Sequence, residues 1–270
     1  MSSLDKMLEV LDLFSETRSA VTAEQVAEEL SLSRATAYRY LTTLTKSGLL
    51  SPGAGSSWVL GGRVIILDRL MRMSDPLLTE AKAEIAVMHD QVNGVLLLCS
   101  FYGDKVLCIH QHRTSSSAIT SYTRGRPMPL FRGATSRIIL AHLPPYQLRN
   151  LVLHRHDEIE AAGLGNNWET FRDRLAGIRK RGYEVGLGEV DAGMVGVAAP
   201  IFRGKAIAAC LSAVVTDDEF KRVGAEVLAQ VVMRAAQAIG QRITPPDVKG
   251  NAVAPSGFPS TRGIAQPART

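Results

Sequence analysis

The stretches TAEQVAEEL (residues 22–30), SLSRATAYRYLTTLTKSG (31–48) and LLSPGAGSSWVLGG (49–62) decide the reading of this 270-residue chain. Val26, Ala27 and Leu30 mark one short helix. Thr22 is placed to cap it, with Gln25 reaching back three residues later as in a capping box. Ser31, Leu32 and Ser33 form a tight connector. Ser33 is a good N-cap for a second helix running from 34 to about 47, where Gly48 supplies a left-handed stop. Leu49 and Leu50, a turn through Pro52, Gly53, Ala54 and Gly55, and Trp58, Val59 and Leu60 then read as a hairpin. Two helices on a short turn followed by a hairpin predict a winged helix-turn-helix, a fold that reads the DNA major groove.

Each residue of the second helix advances about 100° around its axis, so its faces can be assigned. Ala37, Leu41 and Leu44 form the buried stripe. Opposite lie Ala35, Arg39, Thr42 and Lys46, flanked by Arg34, Thr36, Tyr38 and Thr43. Small residues permit close approach to a groove, Arg can fork onto guanine or a phosphate, and Thr offers a hydroxyl and a methyl. Arg34, Ala35, Thr36, Tyr38, Arg39, Thr42 and Lys46 are therefore the expected DNA contacts, Arg39 nearest the groove axis. An ordinary helical hairpin with a solvated face is the plainer alternative, but it leaves the caps, turn and wing signals together unexplained.

Charge points the same way by its distribution. The chain carries 31 Lys and Arg against 26 Asp and Glu, a net charge of +5. Residues 1–30 hold two basic side chains against seven acidic ones, whereas residues 31–72 hold six basic against Asp68 alone. The sign changes where the groove-reading helix begins, which focuses positive potential for a polyanion.

On these residues the N-terminal third resembles the DNA-binding domain of the IclR family of transcriptional regulators. The resemblance is carried by residues 3–14 (SLDKMLEVLDLF), 32–44 (LSRATAYRYLTTL) and Gly48, Leu49 and Leu50 before the wing. Farther on, Gly182 and Tyr183 precede 188–200 (GEVDAGMVGVAAP), similar to the family's signature in its C-terminal ligand-binding domain. The resemblance spans about residues 3–240.

In the opening helix, Leu4, Met7, Leu8, Leu11 and Phe14 give a core stripe, and Val10 and Leu13 spill onto a second face. Either that second face packs within the same small domain, or it meets a second copy, as the resemblance implies. Residues 63–73 are helical in pattern and end at Ser74, Asp75 and Pro76, which suits an interdomain linker. The expected organisation is a winged helix-turn-helix over 1–62, a linker helix over 63–74, a mixed domain over 75–243 and a disordered tail over 244–270.

The mixed domain is expected to hold helices over 77–91, 135–142, 168–181 and 219–241. Strands are expected over 95–99, 106–109, 118–122, 194–201 and 206–215. Periodicity alone gives α+β; the resemblance implies a GAF-like effector domain.

The segment 129–141 (PLFRGATSRIILA) resembles a family motif joining a strand to a helix whose first backbone N–H groups favour an anion. By the same resemblance Ala134, Thr135, Met194, Gly196 and Ser212 fall at pocket-lining positions. Phe131 and Arg132 stand where the family commonly has His and a small residue, and Arg137 replaces a usual Lys. If Arg132 points inward it gives the pocket a fork for a carboxylate; if outward it is a solvated loop charge. The inward reading makes the effector a small organic or aromatic acid.

Catalytic signals are weak: no Walker-type loop, no Gly-x-Ser-x-Gly elbow and no suggestive pair of carboxylates occurs. His110 and His112, like His154 and His156, would each share a face on an extended strand, but neither pair has an obvious local third metal ligand. Cys99, Cys108 and Cys210 sit in apolar contexts without Cys-x-x-Cys spacing and read as small buried hydrophobes. No apolar run reaches the roughly 18 residues of a membrane span, which with the sparse cysteines implies cytoplasm.

The sequence thus predicts a non-enzymatic, cofactor-free regulator of transcription. It would bind double-stranded operator DNA as a homodimer or dimer of dimers, with repression the expected sense and a small acid as effector. The competing readings are an enzyme or small-molecule-binding module that uses its N-terminal domain for assembly only, and a non-specific DNA-binding structural protein.

Overall fold

The computed structural model describes residues 2–243; the expected tail over 244–270 lies outside them. The chain divides into two compact units, the first Met1–Asp75 and the second beginning at Pro76.

The first unit opens with α1 (Ser3–Glu9), continued by a 3-10 turn (Val10–Leu13). It proceeds through β1 (Ala20–Thr22), α2 (Ala23–Glu29), α3 (Arg34–Lys46), β2 (Leu50–Pro52), β3 (Ser57–Leu60) and α4 (Arg63–Ser74). The anticipated Thr22–Gln25 capping box is present, and the Ser33 side chain accepts from the Thr36 N–H. β3 lies between β1 and β2 in an antiparallel sheet. Gly61 closes this unit, because a Cβ there would sit 2.2 Å from the Gly48 carbonyl oxygen. Its N–H instead donates to the Leu49 carbonyl, so the end of the wing docks on the end of α3.

The core of the unit gathers Val10, Leu13, Val21, Val26, Ala37, Tyr40, Leu41, Leu44 and Leu50. This corrects the expected facing of the opening helix in part. Val10 and Leu13 are the buried pair, whereas Leu4 and Leu8 are exposed. Met7, Leu11 and Phe14 of the expected stripe do pack against this core, and at about 100° per residue a face centred on Val10 includes them while turning Leu4 and Leu8 outward.

The second unit has α5 (Pro76–Val87), β4 (Val95–Tyr102), β5 (Lys105–Arg113), β6 (Pro127–Met128), α6 (Ala134–Ala141) and α7 (Pro145–His154). α8 (His156–Ala161), α9 (Trp168–Arg181), β7 (Glu184–Leu187), β8 (Met194–Arg203), β9 (Ala206–Thr216), α10 (Asp217–Val223) and α11 (Ala225–Ile243) complete it. One six-stranded sheet runs β6-β5-β4-β9-β8-β7, with every pairing antiparallel. Helices cover both faces. Leu97 and Cys99 of β4 point into the core that includes Ile138, Ile139, Phe171 and Leu175, while Leu96 and Leu98 point into the core with Ile85, Leu228, Val232 and Ile239. Burial on both faces is why these strands read as unbroken apolar runs without alternation.

Two expectations fail here. Residues 118–122 form no strand; that irregular segment spends the Thr120 hydroxyl and the Ser121 N–H on Asp191. The helix expected over 219–241 is two helices, interrupted at Gly224 in a left-handed φ of +88°. α10 begins at Asp217, with the Thr216 hydroxyl capping the Glu219 N–H.

Candidate nucleic-acid interface and ligand cavity

On α3, Ala37, Tyr40, Leu41 and Leu44 are buried, and the opposite side is open to solvent. Arg34, Ala35, Tyr38, Arg39 and Lys46 are exposed, and Thr36 and Thr42 are half-buried. Tyr38 lies edge-on to the Trp58 ring of β3, centroids 5.7 Å apart, so helix and wing form one continuous surface. The threonine hydroxyls are not equivalent. Those of Thr42 and Thr43 donate back to the Tyr38 and Arg39 carbonyls at 2.8 and 2.9 Å, which leaves them lone pairs and a methyl to present outward. Thr36 accepts from the Ser33 hydroxyl at 3.0 Å and keeps its own proton for a partner. Arg34 is ion-paired with Glu24 of α2. The Glu24 carboxyl is held below its ordinary value first by its own backbone N–H, with the Thr22 hydroxyl and Arg34 adding.

In the second unit a cavity of about 30 Å³ lies where the start of α6 meets β7, β8 and the connecting residues 188–193. Ala134, Thr135, Met194 and Gly196 line it, as anticipated. Ser212 is one layer behind, its hydroxyl 2.9 Å from that of Thr135. Arg132 is not part of it: the side chain is exposed, because Gly133 at φ +80° turns the chain so that Arg132 faces solvent while Phe131 is buried.

The cation next to the cavity is Arg137. α6 is buried along its whole length, and Arg137 is only 9% exposed. Its guanidinium grips the Glu189 carboxylate through two 2.7 Å contacts, with Glu184 at 3.9 Å. The Gly133 N–H donates to the same Glu189 carboxylate at 3.2 Å. Asp191, two residues on, accepts from the Thr120 hydroxyl at 2.9 Å and the Ser121 N–H at 3.0 Å. Tyr122 also lines the cavity, and burial, then the neighbouring Asp191, pushes its phenol above its ordinary value. Gly186 and Gly196 are cross-strand partners on the floor, and a Cβ on Gly186 would lie 2.8 Å from the Ala134 nitrogen. Sequence reasoning noted Arg137 only as a replacement for a usual Lys and missed its pairing with Glu189 and Glu184. The available signal was a cation inside an otherwise apolar helix, which requires a buried acidic partner.

A wider groove of about 1180 Å³ runs between α11 and β8, beside Pro200, Phe202, Met233 and Gln237. None of the candidate DNA or effector contacts lines it, although Gly182, Ala199 and Pro200 of the signature segment do.

The two histidine pairs differ. His110 and His112 share a face of β5 as expected, and the His112 Nε2 lies 2.9 Å from the His89 Nδ1, whereas His154 and His156 end one helix and begin the next, so the shared strand face expected of that second pair does not exist. Among the described residues no three His, Cys, Asp or Glu side chains gather to hold a metal. Cys99 sits in register between Cys108 and Cys210 on neighbouring strands, and all three are buried free thiols.

Comparison with known proteins bears on both units. The profile described as the IclR helix-turn-helix domain matches residues 3–52, and that of the bacterial transcriptional regulator IclR C-terminal matches residues 72–241. The chain belongs to the IclR family. It is 25% identical to the transcriptional repressor IclR of Escherichia coli K12, over 75% of each chain. It is also 25% identical to the Pca regulon regulatory protein of Pseudomonas putida, over 75% of this chain and 69% of that one. An IclR homolog from Microbacterium hydrocarbonoxydans, solved complexed with 4-hydroxybenzoate, shares the fold at a TM-score of 0.70 and 22% identity, covering 90% of this chain and 99% of that one. Membership makes this chain a DNA-binding regulator of transcription. Among its described residues no helix is long and apolar enough to cross a membrane.

Proposed function

We propose that the chain is a cytoplasmic, operator-specific repressor, acting as a homodimer or dimer of dimers and released or retained by a small organic or aromatic acid. The observation that carries the DNA half is the division of α3 into a buried apolar stripe and an open face bearing Arg34, Tyr38, Arg39 and Lys46. A helix with that face, joined to a wing by the Tyr38–Trp58 contact, suits a major groove flanked by phosphates.

A second copy is favoured by α4, which buries none of its side chains. Ile65, Ile66, Leu67, Leu70, Met71 and Met73 are all exposed on it, as are Leu4 and Leu8 of α1. That much apolar surface on a short helix marks an association site. The acid reading draws on the Arg137 guanidinium and the start of α6 beside the cavity, and on the 4-hydroxybenzoate bound by the Microbacterium homolog.

The test is an anisotropy titration of the full chain on the DNA upstream of its own gene against random duplex, with and without a panel of carboxylic acids that includes 4-hydroxybenzoate. Selective binding altered by one acid is the expected result. Equal affinity for random duplex, indifferent to every acid, would instead favour the non-specific structural reading.

A further inference from the structure

We propose that Arg137 and the Gly133 N–H form a carboxylate-exchange site, filled in this structure by the chain's own Glu189, whose place the carboxylate of an acid ligand takes. The inference rests on the effector reading above and assigns it a chemistry. Glu189 is held as an external carboxylate would be, by a two-pronged guanidinium contact at 2.7 Å and a backbone N–H at 3.2 Å at the start of an eight-residue helix. Charge-assisted, bidentate pairing of this kind is roughly twice as strong as a neutral hydrogen bond. The Arg137 Nε is buried without a partner, so the guanidinium retains donor capacity beyond what Glu189 uses.

Volume makes exchange necessary. A cavity of about 30 Å³ accommodates little more than ordered water, whereas pockets for organic ligands run to about 300 Å³ or more. The residues that close it are 188–193, and two carboxylates hold them down: Glu189 on Arg137, and Asp191 on Thr120 and Ser121. Both sit on one short segment between Gly188 and Gly193, each in a left-handed conformation, at φ +61° and +74°, with open space around it. A ligand carboxylate that displaces Glu189 therefore replaces one negative charge with another at Arg137, so the exchange adds no net charge to the site, and it frees one of the two anchors of this segment while Asp191 keeps its own.

A tethered carboxylate competes at high effective concentration, so its removal should expose strong affinity for a small free one. The probe is sodium formate, with sodium chloride at equal ionic strength as the control, read as the shift in melting temperature of the full chain. Glu189→Ala is expected to melt lower than the parent and to be restored by formate saturably, with a midpoint about tenfold or more below that of the parent chain. Adding Arg137→Gln to Glu189→Ala should abolish the formate response. If Glu189→Ala does not fold, Glu189→Gln keeps the shape and loses the charge, and its formate midpoint should likewise fall below the parent's. Formate and chloride acting alike on these variants would overturn the proposal. Rescue by formate while no acid alters operator binding would keep the exchange site and sink the effector reading; acid-sensitive operator binding without rescue would do the reverse.

Discussion

Tyr38 of the reading helix and Trp58 of the wing meet edge to face, their rings 5.7 Å apart and inclined at 84°. Tyr38 is nonetheless 58% exposed, so the ring serves the wing on one side and remains available to DNA on the other. Edge-to-face pairs contribute about 0.5–1.5 kcal/mol beyond their buried area. Tyr38→Ala and Trp58→Ala should each weaken operator binding, and the double variant should weaken it by about 1 kcal/mol less than the sum, because either change alone already uncouples helix from wing. Strictly additive losses in an anisotropy cycle would show that the two elements bind independently.

Arg39 projects from the exposed side of α3, its guanidinium 5.9 Å from the Tyr40 ring. Removing it sacrifices at most a weak surface contact in the fold, worth about 0.5–1 kcal/mol. A bidentate base contact contributes about 1–3 kcal/mol of discrimination. Arg39→Ala should therefore narrow the preference for operator over random duplex by about 1–3 kcal/mol, with a melting temperature within a few degrees of the parent. Unchanged selectivity would remove Arg39 from the groove.

Arg34 is tied to Glu24, one helix earlier. Both side chains are more than half exposed, so the pair contributes little to stability, and its effect falls on DNA binding. Glu24→Gln releases the guanidinium and deletes a negative charge close to the phosphates. Affinity should rise several-fold for operator and random duplex alike, and the dependence on salt should steepen by about one counterion. A gain confined to operator DNA would instead make Arg34 a base reader.

Gly61 has no room for even a methyl group, with the Gly48 and Leu50 carbonyl oxygens 2.2 and 2.8 Å from an added Cβ. Both neighbours are backbone, so neither can yield as a side-chain tip would. Gly61→Ala should destabilise the first unit by about 1–3 kcal/mol through overpacking and should abolish operator binding without altering the second unit. Two-transition calorimetry would show whether only one of the transitions moves.

The first unit was largely legible because its signals are local. Thr22 and Gln25 lie three residues apart, Ser33 stands before its helix and Gly48 after it, and each acts on backbone a single turn away. The face of the opening helix was legible only in part, since its sequence offers two apolar faces and the burial of Val10 and Leu13 in the core with Val26 and Leu41 is what chooses between them. Around the cavity, Ala134, Thr135, Met194 and Gly196 were found by resemblance, while the identity of its cation was not. Arg132 and Arg137 are five residues apart, and only the left-handed turn at Gly133 and the distant Glu189 decide which of them faces inward. Long-range pairing of charge leaves no periodic trace in a sequence. The same holds for Cys99, Cys108 and Cys210, which the strand order β5-β4-β9 brings side by side from positions far apart in the chain.

The helix α4 provides the sharpest test of assembly, because its apolar side chains contribute nothing to the core of the protomer. Ile66 and Leu70 lie four residues apart, on one face of the helix, and are 59% and 55% exposed. In an isolated protomer, replacing both with Glu would be nearly neutral for the fold, as for other exposed positions. In an interface, two buried unpaired carboxylates oppose association strongly. Ile66→Glu with Leu70→Glu should therefore leave circular dichroism unchanged, lower the sedimentation mass to that of a smaller assembly, and cut operator affinity far more than affinity for a half-site. Both consequences share one cause, since an operator read by two heads gains its affinity from holding them together. An assembly of unchanged mass would locate the contact between copies elsewhere on the chain.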